Sequence, residues 1–125
     1  MKIIDFAVGT DIEEISRFEK YSKNPSDPFL KRIYTKTEID YCFSHKTPEY
    51  HLAARFSGKE AVYKALSALG IKNIRYSDIE IRNDENGVPF VTVNLNSCDN
   101  FIFRLSLSHG NGNSLASVVV IKAEN

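Results

Sequence analysis

The segment that opens at Thr47-Pro48 and closes at Gly70 constrains this chain most. Thr47 is a cap-type residue, and Pro48 suits the first helical position, where a missing N–H leaves no bond unmade. Leu52, Phe56, Tyr63 and Leu66 follow the four-and-three spacing of a buried stripe, which predicts one long amphipathic helix ending at Gly70. Such a helix needs a covering layer.

Residues after Gly70 supply that layer. Ile79-Glu80-Ile81 alternates, Asp84-Glu85-Asn86-Gly87 makes a turn, and Pro89 to Leu95 reads as the return strand. Phe101, Phe103, Leu105 and Leu107 alternate with Arg104, Ser106 and Ser108, so that strand has one apolar and one polar face. Gly110-Asn111-Gly112-Asn113 forms a second turn, and Leu115 to Ile121 is apolar enough for a central strand.

Before the long helix, Lys2 to Val8 reads as a strand, Gly9 permits a sharp exit, and Thr10 or Asp11 caps a helix running to Tyr21. That helix carries Ile12, Ile15 and Phe18 on one face. The two prolines between Ser22 and Pro28 mark a loop, followed by short helices over Phe29 to Ile33 and from Thr35 to Phe43. Helices first and strands afterwards predict an α+β fold, with an N-terminal strand and helices and one long helix packed on an antiparallel β-meander. The chain is expected to be a single domain over residues 1–125.

Sixteen basic and sixteen acidic residues cancel, which argues against a general nucleic-acid binder. No apolar run approaches the roughly 20 residues of a membrane span. Asp5 interrupts the apolar start and no small-residue cleavage pattern follows, so no secretory signal is expected. Two cysteines, Cys42 and Cys98, are too few for a disulfide scaffold or a zinc cluster and read as buried cytoplasmic thiols. The neutral total hides an asymmetry: Arg17 to Lys36 holds six basic residues against two acidic ones. Such a patch suits an acidic partner, or is a solvated helix face.

Three places carry residues that a core does not explain. At Gly9-Thr10-Asp11 a carboxylate stands where a strand is expected to meet a helix. Within the long helix, Glu60 and Lys64 are four apart and share a face beside the apolar stripe. Lys59 falls inside that stripe, so its ammonium must snorkel or meet an anion, and Gly58 at mid-helix implies close approach by a backbone or a ligand. Third, Ser106-Leu107-Ser108-His109 ends a strand with small polar groups and a histidine able to contact an anion. Carboxylates at Asp11 and Glu60 could hold Mg²⁺, with Arg55, Lys59, Lys64 and His109 neutralising a phosphate chain. Residue types and spacing lead to Mg²⁺–phosphate chemistry and no further.

The same segments resemble a known family. Gly9-Thr10-Asp11-Ile12-Glu13, Arg55-Phe56-Ser57-Gly58-Lys59-Glu60-Ala61 and Ser106-Leu107-Ser108-His109 are similar, in order and separation, to the holo-[acyl-carrier-protein] synthase family of 4′-phosphopantetheinyl transferases. Lys31 to Glu38 and the hairpin from Asp78 to Pro89 resemble two further family segments. The resemblance implies transfer of the phosphopantetheine arm of coenzyme A to a serine of an acyl carrier protein, with release of adenosine 3′,5′-bisphosphate.

It also implies roles. Asp11 and Glu60 become Mg²⁺ ligands and catalytic residues, and Lys64 the catalytic lysine on the diphosphate. Arg55, Lys59, Lys64, Ser108 and His109 become contacts to coenzyme A. The base that takes the serine proton is left open between Glu60 and a water molecule. An acidic carrier would dock on the basic patch, with Arg17 and Phe18 at its centre and Lys20 and Lys31 steering. Small members are generally cytoplasmic homotrimers with sites between subunits; fatty-acid synthesis and a dedicated biosynthetic pathway are both open as the source of the carrier. Two departures stand out: Ser57-Gly58 replaces two alanines common in the family, and Gly110-Asn111-Gly112-Asn113 replaces a hydroxyl residue followed by Lys-Glu. The altered loop after His109 motivates an alternative, a non-catalytic carrier- or nucleotide-binding module of the same fold.

Overall fold

A computed structural model describes residues 1–124. Strand β1 (Ile3–Glu14) leads directly into a 3₁₀ helix (Ile15–Tyr21). Helices α1 (Pro28–Ile33), α2 (Lys36–Phe43) and the 21-residue α3 (Pro48–Ala68) follow. The remainder is β2 (Ile79–Asn83), β3 (Pro89–Val93), β4 (Phe101–Gly110) and β5 (Asn113–Ala123). Strands β1, β5 and β4 form one antiparallel sheet in that order, and β2 with β3 forms a separate hairpin. The predicted α+β architecture holds, and β5 is central. Among the described residues no helix is long and apolar enough to cross a membrane.

Local chemistry explains the helical boundaries. Asp27 caps α1 through Phe29 N–H at 2.8 Å, with Pro28 at the first position. Thr35 and Glu38 make a reciprocal capping box on α2. Helix α3 stops at Ala68, and Gly70 takes a φ of +84° just beyond it, a conformation open to glycine at no steric cost.

The start of the chain departs from expectation. The strand does not end at Gly9; it continues to Glu14, so Asp11 pairs opposite Ala116 in mid-strand and caps no helix. Pairing with β5 satisfies the backbone over the whole stretch, which outweighs local cap chemistry at Thr10 and Asp11. Ile12 therefore sits on the strand's outer face, 59% exposed, while Ile15 and Phe18 turn inward with the three-residue period of the 3₁₀ helix. Gly9 serves contact instead of a turn: a Cβ there would stand 1.8 Å from the Ala61 carbonyl oxygen. Gly58 makes room for a side chain: a Cβ there would approach Ile81 Cδ1 at 2.4 Å.

Helix α3 lies between two cores. One holds Val62, Ala65 and Leu66 against Ile79, Val118 and Val120. The other holds Leu52 and Ala53 against Ile15, Phe18, Leu30, Tyr34 and Ile39. Ser57 is fully buried and bonds Ala54 O at 3.0 Å and Ser114 Oγ at 3.1 Å, so this departure from the family pattern joins α3 to β5.

Candidate active site

Strand alternation assembles an acidic cluster. Ala7, Gly9, Asp11 and Glu13 point from β1 toward α3, and Gly9 lets that strand lie against the helix backbone at Ala61, next to Glu60. The Lys64 ammonium, half exposed, reaches across to Asp11 Oδ1 at 3.3 Å and Thr10 O at 3.0 Å. No Glu60–Lys64 ion pair occurs among the described residues; Lys64 serves Asp11. Asp11 Oδ2 is buried and has no hydrogen-bond partner. Glu60 Oε1 accepts the Tyr76 hydroxyl. Glu13 pairs with Arg17 at 3.0 Å, yet its carboxyl is pushed up to about 7, first by burial and then by Asp11 beside it, with Glu60 adding to the repulsion.

The position of Asp11 in a strand makes Glu13 its same-face neighbour. A helix cap at Asp11 hides that relation, and only the period of two exposes it. Tyr76, from the turn before β2, had no sequence signal of its own. Burial and the bond to Glu60 push its phenol well above its ordinary range, so it acts as a neutral donor.

These residues suit a divalent cation. A buried carboxylate oxygen without a partner, crowded by two more acids, is costly as it stands and is relieved by positive charge. Among the described residues no group of three or more His, Cys, Asp or Glu is arranged to hold a metal by itself. Mg²⁺ takes one or two carboxylates and fills its other positions with water and substrate oxygens. Asp11 and Lys64 open on a groove of about 500 Å³ that Ser106 and Ser108 also line.

Lys59 corrects the sequence expectation. Its side chain is 0% exposed and meets Glu38 Oε1 at 2.7 Å, Tyr76 O at 2.9 Å and Ile79 O. The awkward place in the stripe is resolved by an internal anion, so no charge remains for coenzyme A. Burial pushes the Glu38 carboxyl up and the Lys59 ammonium down, and their attraction opposes both shifts. Glu38 also accepts Thr35 N–H at 2.9 Å and Ile81 N–H at 2.8 Å, which leaves neither oxygen unpaired.

Arg55 behaves differently. It is 4% exposed, its guanidinium lies 4.2 Å from the Tyr41 ring centre, and its Nε has no partner. It lines a cavity of about 180 Å³ with Arg82, Tyr41, Thr37 and Asn83. His109 and Ser108 border a neighbouring depression with His51, whose imidazole is pulled down to about 4 by burial and then by His45, Arg55 and His109. Thus Asp11 and Lys64 line one cavity and Arg55 another.

The basic patch survives in part. Arg17 is two-thirds exposed while holding Glu13, Lys20 stands over the Tyr21 ring, and Lys31 borders a groove with Lys36. Phe18 does not belong to it: at 3% exposure it packs on Phe56, ring centres 5.5 Å apart, because the 3₁₀ turn points it inward with Ile15.

The family model of the 4′-phosphopantetheinyl transferase superfamily matches residues 7–119. The chain belongs to the holo-[acyl-carrier-protein] synthase family of that superfamily. A holo-[acyl-carrier-protein] synthase of Geobacter sp. is 37% identical over 126 aligned residues, covering 92% of this chain and 97% of the relative. One from Protochlamydia amoebophila is 45% identical over 86 residues, covering 69% of this chain and 70% of the relative. A Bacillus anthracis holo-(acyl-carrier-protein) synthase, solved in complex with CoA (3′,5′-ADP), superposes with a TM-score of 0.76 at 33% identity, covering 94% of this chain and 96% of that one. The Helicobacter pylori synthase in complex with coenzyme A gives 0.76 at 34%, covering 90% and 98%. As a synthase of this family, the chain is an enzyme, a transferase.

Proposed function

We propose that this synthase transfers the 4′-phosphopantetheine group of coenzyme A to a serine of an apo acyl carrier protein, depends on Mg²⁺, and releases adenosine 3′,5′-bisphosphate. The observation that carries the reading is the buried, unpartnered Asp11 Oδ2, on a carboxylate whose other oxygen meets the Lys64 ammonium at 3.3 Å. Asp11 and Glu60 hold the metal. Mg²⁺, when bound, supplies charge stabilisation at the diphosphate oxygens. Lys64 lines the groove and neutralises the diphosphate as the bond to the leaving nucleotide breaks. Arg55, with an unfilled donor beside Arg82, takes a phosphate of the nucleotide, and Ser108 and His109 border that end. Arg17, Lys20 and Lys31 steer an acidic carrier, which affects encounter rate more than affinity.

The two cavities fit a site completed between copies. The sheet face turned away from α3 exposes Ile4, Phe6, Val8 and Ile12 at 56–62%, with Leu115 and Val119 beside them. An apolar face of this kind supports self-association, and a homotrimer is the state we propose. Two free buried thiols suit a cytoplasmic enzyme, with fatty-acid synthesis as the source of the carrier and one transferase domain as the working unit.

The test is to incubate the protein with coenzyme A, Mg²⁺ and apo acyl carrier protein, then weigh the carrier intact. A gain of one phosphopantetheine group, lost when the metal is chelated, is the expected result. Coenzyme A binding without any gain on several carriers overturns the assignment in favour of a non-catalytic binding module.

A further inference from the structure

The acidic cluster contains a donor that no metal-binding role explains. Tyr76 gives its hydroxyl hydrogen to Glu60 Oε1, and Glu60 Oε2 makes no hydrogen bond among the described residues. The phenol is held from three sides. Its ring stacks on Tyr63 at 5.2 Å and 25°, and faces Phe56 at 6.1 Å and 27°. Its backbone carbonyl accepts the Lys59 ammonium at 2.9 Å, and Lys59 is anchored in turn by Glu38. The hydroxyl therefore sits at a fixed place relative to α3, the helix that carries Glu60.

A carboxylate has two oxygens, and a ligand that takes both uses the space between them. A phenol fixed on Oε1 opposes that mode and leaves Oε2 to bind alone. Single-oxygen ligation suits Mg²⁺, which is small, demands a near-octahedral shell and keeps several waters. Ca²⁺ is larger, collects six to eight oxygens in flexible geometry, and also takes a carboxylate through both oxygens. We propose that Tyr76 is a positioning residue that restricts Glu60 to one-oxygen ligation and so sets the selectivity of this site for Mg²⁺ over Ca²⁺. This inference rests on the assignment of Asp11 and Glu60 as metal ligands.

Tyr76→Phe keeps the stacked ring and removes only the hydroxyl, so the fold and its melting curve are retained. The experiment binds Mn²⁺ to the protein with coenzyme A present, follows it by electron paramagnetic resonance, and displaces it with Mg²⁺ or Ca²⁺. In the unsubstituted protein Mg²⁺ displaces Mn²⁺ at lower concentration than Ca²⁺. In Tyr76→Phe the ratio of the two displacement constants moves toward Ca²⁺ by about tenfold, the scale of one hydrogen bond to a charged group. Inhibition of carrier modification by Ca²⁺ at fixed Mg²⁺ strengthens in parallel. A purely structural tyrosine weakens both ions alike, so an unchanged ratio overturns the proposal. Glu60→Gln separates the two levels. If it weakens Mn²⁺ binding while the ratio in Tyr76→Phe stays fixed, Tyr76 alone is misassigned. If Glu60→Gln leaves Mn²⁺ binding intact, the metal assignment falls, and this inference with it.

Discussion

Lys59 and Glu60 are neighbours on one helix, yet they enter opposite kinds of polar surroundings. Lys59 enters a closed cluster in which Glu38, Tyr76 O, Ile79 O, Thr35 N–H and Ile81 N–H pair completely. Glu60 joins Asp11 and Glu13 in an open cluster that keeps a buried oxygen without a partner and holds Glu13 near 7. A satisfied buried cluster specifies how elements pack, whereas an unsatisfied one stores cost that a ligand can relieve. The difference separates a lysine used in packing from the carboxylate we propose as a metal ligand within one step of sequence.

The closed cluster should be the more costly to break. Lys59→Ala leaves Glu38 charged and unpaired in the core, so chemical denaturation should show a loss of about 3–5 kcal/mol. Replacing both partners at once, Glu38→Leu with Lys59→Met, should recover part of that loss, because no charge is then stranded. If coenzyme A affinity of folded Lys59→Ala collapses while its stability is unchanged, the two clusters have been assigned the wrong way round.

The open cluster should respond in the opposite sense. Asp11→Asn removes repulsion, so the metal-free protein should melt no lower than the parent, while carrier modification falls by about a hundredfold or more. Parallel losses of stability and turnover in Asp11→Asn would place that residue with Lys59 instead. Gly9→Ala tests what holds the open cluster together. The added Cβ must push β1 off Ala61, and overpacking of this kind costs about 1–3 kcal/mol. Turnover should fall with it, as Asp11 moves with the strand.

The smallest effect extends the comparison to the cationic end. The His51 imidazole is held at about 4, below its ordinary 6.5. A depressed pKa contributes stability that is fully present above pH 6.5 and is lost as pH falls through 4. His51→Phe should flatten thermal stability across that window, by less than about 1 kcal/mol because solvent screens the partly exposed ring. An unchanged acid limb would show that neither burial nor the charges of His45, Arg55 and His109 depress His51 in solution.

Much of the architecture was legible because short-range signals agreed with it. Thr35 with Glu38, Pro48 after Thr47, Gly70 after the stripe, and the apolar run at Leu115 each act within a few residues. The N-terminal segment was misread because its strand depends on β5, more than a hundred residues away, while Thr10 and Asp11 offer local cap chemistry. Phe18 was read both on an apolar face with Ile15 and, through the resemblance, at the centre of the docking patch; the 3₁₀ turn buries it with Ile15. Asp11, Glu60, Lys64 and Arg55 were read as site residues through family resemblance, and the structure sets Asp11 beside Lys64 but lines a separate cavity with Arg55. Glu13 was hidden by the wrong period, and Tyr76 by having no pattern at all.

The sequence by itself determined the family, the boundaries of α1, α2 and α3 to within about two residues, and where charge is concentrated, since each of these is written in local spacing or in matched segments. Only the tertiary structure decided which charges are free. Lys59 is neutralised by Glu38, 21 positions earlier, and Asp11 Oδ2 is left alone although Lys64 reaches the other oxygen of the same carboxylate. The worth of a charge depends on its burial and on every partner around it, and those partners come from distant parts of the chain.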